Sequence, residues 1–267
     1  MQRSFVDIRE GQVHYRAAGA RGRPLVMIHN SPGSSRSLVP LLAALARNRR
    51  VIAVDTLGNG DSAAPAPLRP NIAYFADAHI RTLDALRLKE VDLYGYGVGA
   101  SIACEMAIAL PDRVGRVLLH DMPACPAADR EGLLASSERR ILPDSEGTQF
   151  QRLWTMVRDA HLFSPWSMRD SAHPRGPDFS SADEMHYEAV ELLKAIDTYD
   201  LPARADVLYS RSDRLSILPS QKVFIFQFDH SLKKTLATIA MTGRADILEM
   251  SENDNLYELI GELLEAD

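Results

Sequence analysis

The chain has 267 residues, of which 46% are hydrophobic and 25% charged, and its formal net charge is −6 at pH 7. These values are typical of an ordinary folded domain and argue against long disorder, a collagen-like chain or a coiled coil. A chain of this length buries a large core and therefore needs no disulfide or metal to fold. No basic block is present, so we expect neither nucleic acid nor an anionic membrane as a partner.

Cellular context follows from the N-terminal residues and the cysteines. Residues 1–7 lack the apolar run of a signal peptide, and no apolar stretch approaches the length of a membrane-spanning helix. Cys104 and Cys125 form neither a C-x-x-C pair nor a disulfide framework. We therefore expect a reduced, cytoplasmic monomer or homodimer that binds a small molecule and uses no metal and no cofactor.

Short apolar runs alternate with helical patterns in the first half of the chain. Glu10-Gly11 separates two alternating segments and predicts a hairpin. Further strands are expected at residues 25–28, 51–54, 91–94 and 114–119, and helices at residues 37–45, 72–86 and 98–110. Strands and helices that alternate in this way predict βαβ units around a mostly parallel sheet that is buried on both faces.

The pattern changes between residues 124 and 200, where prolines, polar loops and both tryptophans fall. Helices are expected here at 149–160 and 181–195, so we interpret residues 124–200 as a helical cap inserted into a core formed by residues 1–123 and 201–267. Strand signals resume at 206–209 and 245–250, and an amphipathic helix is predicted at 255–264.

Three segments resemble, in order and spacing, motifs of the α/β-hydrolase superfamily. They are His29-Asn30-Ser31-Pro32-Gly33, Asp55-Thr56-Leu57-Gly58-Asn59-Gly60-Asp61-Ser62 and Gly95-Tyr96-Gly97-Val98-Gly99. The family motifs are a His-Gly-x-Pro-Gly loop, an Asp-x-x-Gly-x-Gly-x-Ser loop and the Gly-x-Ser-x-Gly nucleophile elbow. The resemblance implies an α/β fold with about eight strands flanked by helices. It is closest to small-molecule members such as C–C bond hydrolases, epoxide hydrolases and haloalkane dehalogenases.

Two of the three residues of the family's catalytic triad are missing. Gly97 stands at the nucleophile position and has no side chain that could attack a substrate. The family's histidine follows the last strand, but the last histidine of this chain, His230, precedes the strand predicted at 245–250. Asp213 stands where the family's acid does, after the strand predicted at 206–209. Ester hydrolysis through a serine-type acyl intermediate is therefore not expected.

The backbone part of the site does not depend on the triad. By resemblance, the N–H groups of Ser31 and Val98 form an oxyanion hole, which polarises a carbonyl oxygen. The acid or base would then come from another residue. Candidates are His29, Asp55, Asp121, Glu252 and Asp254, each of which also has a structural interpretation in a loop or turn. We expect substrate contacts from Asn30 and from three cap aromatics that could equally be packing residues: Trp154, Phe163 and Trp166.

Two functions remain open at this point. The first is an enzyme that acts on a small apolar carbonyl compound, such as an ester, a lactone or a C–C bond substrate, without a covalent intermediate. The second is a catalytically inactive protein of the same fold that binds a ligand or serves as a scaffold. A deliberate replacement of serine by glycine at position 97 would not explain why the histidine is missing as well.

Overall fold

The computed structural model describes residues 1–122, 127–138, 140–163, 166, 169–171, 181–218, 223–227, 246–249 and 255–265. The strands in these residues are β1 (Gln2–Ile8), β2 (Gly11–Ala18), β3 (Leu25–Ile28), β4 (Val51–Val54), β5 (Val91–Tyr96), β6 (Val114–His120), β7 (Val223–Gln227) and β8 (Asp246–Glu249). The helices are α1 (Val39–Leu45), α2 (Ile72–Ala85), α3 (Val98–Ala109), α4 (Ala127–Glu138), α5 (Thr148–Leu162), α6 (Ala182–Lys194), α7 (Leu201–Val207), α8 (Arg211–Ser216) and α9 (Leu256–Glu265).

The eight strands form one sheet in the order β1-β2-β4-β3-β5-β6-β7-β8. β1 and β2 are an antiparallel hairpin, and β2 is also antiparallel to β4. Every other neighbouring pair is parallel. The predicted α/β fold with a mostly parallel sheet flanked by helices is confirmed. The carboxyl ends of the parallel strands meet at one edge, and the loops that follow β3, β4, β5 and β6 lie there.

Both faces of the sheet are covered, which explains the near-continuous apolar runs in its central strands. Along β3, Val26 and Ile28 pack with residues of α2 and α3 on one face. Leu25 and Met27 point to the opposite face and pack with residues of α1 and α9. All four of these side chains are fully buried. The sheet is therefore a rigid support for the loops at its carboxyl edge.

Helices α4 to α8 lie in the sequence between β6 and β7, where we predicted a cap followed by a strand at residues 206–209. The strand is wrong, because Asp206 and Val207 belong to helix α7, which has Pro202 in its first turn. Asp206 is buried and paired with Arg211 at the start of α8. The run Val207-Leu208-Tyr209 is too short for its spacing to distinguish a strand from a helix end. That these helices form a cap, and its boundaries, stay predictions.

The strands that follow are β7 and β8, and β8 lies within the range predicted for the last strand. Helix α9 coincides with the predicted amphipathic helix and places Ile260 and Leu264 in the core. Among the helices that the structure describes, none combines the length and the apolar character needed to cross a membrane.

Candidate functional site

The turn between β5 and α3 carries the residue that corresponds to the nucleophile position. Gly97 is the N-cap of α3 and has φ +57° and ψ −119°, a conformation that is strained for residues with a side chain. Gly99, the second residue of α3, lies against the carbonyl oxygen of Ile28. Helix α3 therefore packs closely on β3. The backbone therefore keeps the sharp bend of a nucleophile elbow although no nucleophile stands on it.

The side chain of Asn30 occupies the space above this turn. Its carboxamide oxygen Oδ1 accepts a hydrogen bond from the backbone N–H of Ser31 at 2.9 Å and another from that of Val98 at 3.0 Å. A Cβ atom placed on Gly97 would overlap the carboxamide group of Asn30. The resemblance implied that these two N–H groups form an oxyanion hole. In the structure both point at one acceptor, the side-chain oxygen of Asn30.

The loop that supplies the Ser31 N–H is held in place by neighbouring segments. The hydroxyl of Ser31 lies 3.1 Å from Oδ1 of Asn59 and 3.2 Å from the carbonyl oxygen of Tyr199. The N–H of Gly33 donates to the same Oδ1 at 3.2 Å. Tyr199 follows α6, so the helical segment after β6 contacts the loop directly. These contacts fix the donor at Ser31 relative to the donor at Val98.

His29, one of the predicted catalytic residues, holds this loop with both ring nitrogens. Nδ1–H donates to the backbone oxygen of Asn30 at 2.6 Å, and Nε2 accepts the N–H of Thr56 at 3.0 Å. Burial lowers the pKa of His29 and so keeps the imidazole neutral. Because both nitrogens already have partners, the structure favours the positioning interpretation of His29 over proton transfer to a substrate.

Asp55, at the end of β4, is the centre of a buried hydrogen-bond network. It accepts from Nδ1–H of His14 at 2.8 Å and from the backbone N–H groups of Ser35 at 2.7 Å and Asp61 at 2.9 Å. Burial acts to raise the pKa of Asp55, but these hydrogen bonds hold it well below its usual range. Asp55 therefore stays ionised and ties β2 to the loops after β3 and β4. Its partner His14 was not found from the sequence, because no local pattern links residues 41 positions apart.

His14, Asp55 and Asp61 bring three possible metal-ligating atoms within 4.8 Å of one another. Cationic side chains already contact this group. Arg3 lies 2.7 Å and Lys194 3.3 Å from the carboxylate of Asp61, and Arg3 also donates to Nε2 of His14 at 3.2 Å. Because these cations would repel a metal ion, the group fits a charged hydrogen-bond network better than a metal centre.

The end of β6 places a second histidine beside the elbow. His120 is paired in register with Tyr96, and its backbone oxygen accepts the N–H of Gly97 at 2.9 Å. Its Nδ1 shares a hydrogen bond with the hydroxyl of Tyr94 at 2.5 Å, and burial lowers the pKa of His120 to about 4. At this end of β6 the predicted acid or base was Asp121, the neighbour of His120. Asp121 is half-buried with φ +49°, and its catalytic role stays a prediction.

Asp213 belongs to the helical segment between β6 and β7. It is an exposed residue in the first turn of the short helix α8, not a residue that follows a strand. The prediction that Asp213 follows a strand is therefore wrong, because the segment before it is helical, and its role as an acid stays a prediction. The residues that follow β7 and β8, including Glu252 and Asp254, lie outside the described residues.

The cap aromatics pack among the helices that follow β6. Trp154 and Trp166 lie against a cluster that contains Leu153, Met156 and Tyr199. Phe163 is half-buried at the end of α5. Through Tyr199 this cluster reaches the loop that holds Asn30, but the contacts of Trp154 and Trp166 are those of helix packing. Their role in substrate binding stays a prediction.

Comparison with known proteins gives the family. A sequence model of the alpha/beta hydrolase fold matches residues 23–156, which are half of the chain. The chain belongs to this family. The matched segment of this α/β hydrolase includes the loop after β3, the loop after β4 and the elbow at Gly97.

Curated relatives of this α/β hydrolase match less than half of the chain. The 2-hydroxymuconate semialdehyde hydrolase of Pseudomonas sp. strain CF600 is 40% identical over 118 residues, which are 42% of this chain and 41% of the relative. The 2-hydroxy-6-oxo-2,4-heptadienoate hydrolase of Pseudomonas putida F1 is 36% identical over 104 residues, 37% of each chain. The chain thus matches less than half the length of these relatives.

Solved structures share the fold over nearly the whole chain. An epoxide hydrolase from an endophytic Streptomyces has a TM-score of 0.75 and 19% identity, and the alignment covers 99% of this chain and 95% of the other. The enol-lactonase from Burkholderia xenovorans LB400 has a TM-score of 0.69 and 19% identity, with 98% and 100% covered. At these identities the likeness shows the fold alone.

Proposed function

We propose that this α/β hydrolase is an enzyme that acts on a small, largely apolar carbonyl compound without a covalent enzyme intermediate. The observation that carries the proposal is the pair of hydrogen bonds from Ser31 N–H and Val98 N–H to the carboxamide oxygen of Asn30. Two fixed donors that bind one carbonyl oxygen can also bind the oxygen of a ligand and stabilise negative charge that develops on it.

A covalent mechanism through the elbow has no support in this geometry. Gly97 has no nucleophile, and the volume that its side chain would need is filled by Asn30. The chemistry left to such a site is addition of water to a polarised carbonyl, or reaction through an enolate. The activities named for the relatives, hydrolysis of a semialdehyde and of an oxo-dienoate, support a carbonyl substrate of this kind.

A substrate must displace the Asn30 side chain to reach the two donors. Asn30 is only partly buried, so its side chain has room to rotate away. The exchange replaces one carbonyl acceptor by another, and a buried N–H left without an acceptor would cost about 1–3 kcal/mol. We therefore infer that a ligand without a carbonyl or carboxylate oxygen does not compete with Asn30.

Binding without turnover is the second candidate function. It is favoured by His29, whose two ring nitrogens are both engaged with the backbone and so are not available as a base. In that case the site would hold a carbonyl-containing ligand that is released unchanged.

A substrate panel separates the two functions. Purified protein is tested with esters, lactones and β-diketones, and the variant Val98→Pro removes one donor at the first helical position, where proline is tolerated. Ala182→Pro is the matched control, because Ala182 is the first residue of α6, far along the chain from the elbow. We expect turnover that falls about 10²–10³-fold in Val98→Pro and not in the control. Binding without turnover would establish the second function, and neither binding nor turnover would overturn both.

A further inference from the structure

Asn30 itself has the contacts expected of a bound substrate. Its side-chain carbonyl oxygen accepts from both oxyanion-hole donors, at 2.9 and 3.0 Å. We propose that Asn30 is a modification site, at which water hydrolyses the side-chain amide to a carboxylate within the folded protein. This goes beyond the proposed function, because it requires no external substrate.

The reaction uses water as its only co-reactant. The oxygen of a water molecule bonds to Cγ of Asn30, and the electron pair of the C=O bond moves to Oδ1, which the N–H groups of Ser31 and Val98 stabilise. The Cγ–Nδ2 bond then breaks as the C=O bond re-forms, and nitrogen leaves with a proton from the water as ammonia. The acid that remains loses its proton, so asparagine and water give aspartate and ammonium.

The two ends of the amide are held differently, as this step requires. Oδ1 is fixed between two donors, and removing one such donor in an enzyme typically costs about 10²–10³ in rate. Nδ2, the leaving nitrogen, makes no hydrogen bond to any residue that the structure describes. Asn30 is partly exposed, so water reaches the amide.

The product is stabilised by its position at the start of α3. This helix has 12 residues, and its first turn contains no acidic side chain. A carboxylate at a helix N-terminus is stabilised by the partial positive charge of the helix end relative to a neutral group. The helix end therefore stabilises the carboxylate product more than the neutral amide of Asn30.

The alternative route to deamidation is disfavoured by the same contacts. In that route the backbone nitrogen of Ser31 attacks Cγ of Asn30 and closes a five-membered imide ring, which opens to a mixture of aspartate and isoaspartate. Here the Ser31 N–H points at Oδ1 and is engaged as a donor. We therefore expect aspartate as the product, without isoaspartate.

Peptide mapping by mass spectrometry tests the proposal. Freshly purified protein is incubated at neutral and mildly alkaline pH, and the exchange of –NH₂ for –OH is followed at each asparagine. Asn59 is an internal control, because it precedes Gly60, a flexible residue that favours ring closure in unfolded chains. We expect conversion at Asn30 ahead of Asn59 in the native protein, a rate about 10²–10³-fold lower in Val98→Pro, and an unchanged rate in Ala182→Pro.

The fate of the Asn30 amide decides the proposal. Selective conversion of Asn30 to aspartate that depends on Val98 and is lost in urea supports the proposal. Retention of the amide, isoaspartate at position 30, equal rates in Val98→Pro and wild type, or faster conversion at Asn59 would overturn it. No substrate is added, so this result is independent of the substrate panel: the proposed function can fail while Asn30 is hydrolysed, and the reverse.

Discussion

Asn30 and Gly97 share one volume at the carboxyl edge of the sheet. A Cβ atom on Gly97 would lie 3.0 Å from the Cβ of Asn30 and would overlap its carboxamide. In the family motifs the loop position is glycine and the elbow position is serine, whereas here the side chain stands on the loop and the glycine on the elbow. The two positions are therefore coupled, and a change at one has consequences for the other.

Restoring serine at the elbow alone should harm the protein without reviving activity. In Gly97→Ser the new side chain meets Asn30 and must adopt φ +57°, so we expect a loss of about 1–3 kcal/mol in the free energy of unfolding. Urea denaturation measures this loss, and an ester panel measures activity. The double change Gly97→Ser with Asn30→Gly removes the overlap, so its loss should be smaller than the sum of the losses of the two single variants. Additive effects of the two changes would show that they do not share this volume.

Two replacements of Asn30 should show how much its side-chain oxygen contributes to stability. Asn30→Ala leaves the N–H groups of Ser31 and Val98 without their acceptor, so we expect unfolding to become easier by about 1–2 kcal/mol. Asn30→Asp keeps an acceptor and adds charge at the helix N-terminus, so its melting temperature at pH 7 should match or exceed that of the wild type. Thermal melts of the three proteins check this order. Equal melting temperatures for the alanine variant and the wild type would show that the two bonds contribute nothing.

The sequence predicted the sheet and its loops better than the site. Apolar strands such as β3 and glycine-marked turns such as the one at Gly97 have local causes, so their patterns reveal them. The contact of Asn30 with Val98 joins residues 68 positions apart and depends on a side-chain rotamer, which no periodicity encodes. The pairing of Tyr94 with His120 is of the same kind. The strand predicted at 206–209 failed because three apolar residues fit a helix end equally well.

The network around Asp55 should make stability dependent on acid. In the folded protein the pKa of Asp55 lies below the value of about 3.9 for an unfolded chain. The contribution of Asp55 to the free energy of unfolding is therefore complete above that pH and is lost as the pH falls through the pKa of the folded protein. Asp55→Asn removes charge from the bonds to His14, Ser35 and Asp61, and we expect a loss of about 2–4 kcal/mol at pH 7. Urea denaturation at pH 7 and pH 3 measures both effects. A difference between variant and wild type that is as large at pH 3 as at pH 7 would contradict this account.

His120 should contribute a second, separate acid dependence. Burial lowers its pKa to about 4 in the folded protein, against about 6.5 when unfolded, so the folded state binds the proton less well. Its contribution to stability is therefore complete above pH 6.5 or so and is lost as the pH falls towards about 4. The groups that contact the ring include the hydroxyl of Tyr94 and the ring of Tyr96.

The variant His120→Gln isolates this effect, since His29 and His79 also have lowered pKa values and contribute to the wild-type curve. We expect the free energy of unfolding of His120→Gln to fall less than that of the wild type between pH 7 and pH 5. Tyr94→Phe, which only removes the hydrogen bond to Nδ1, should cost about 1–3 kcal/mol at pH 7 and keep the pH dependence. Imidazole signals followed by NMR give the titration directly. A His120 signal that titrates near pH 6.5 would show that the ring is solvated and that burial does not govern its charge.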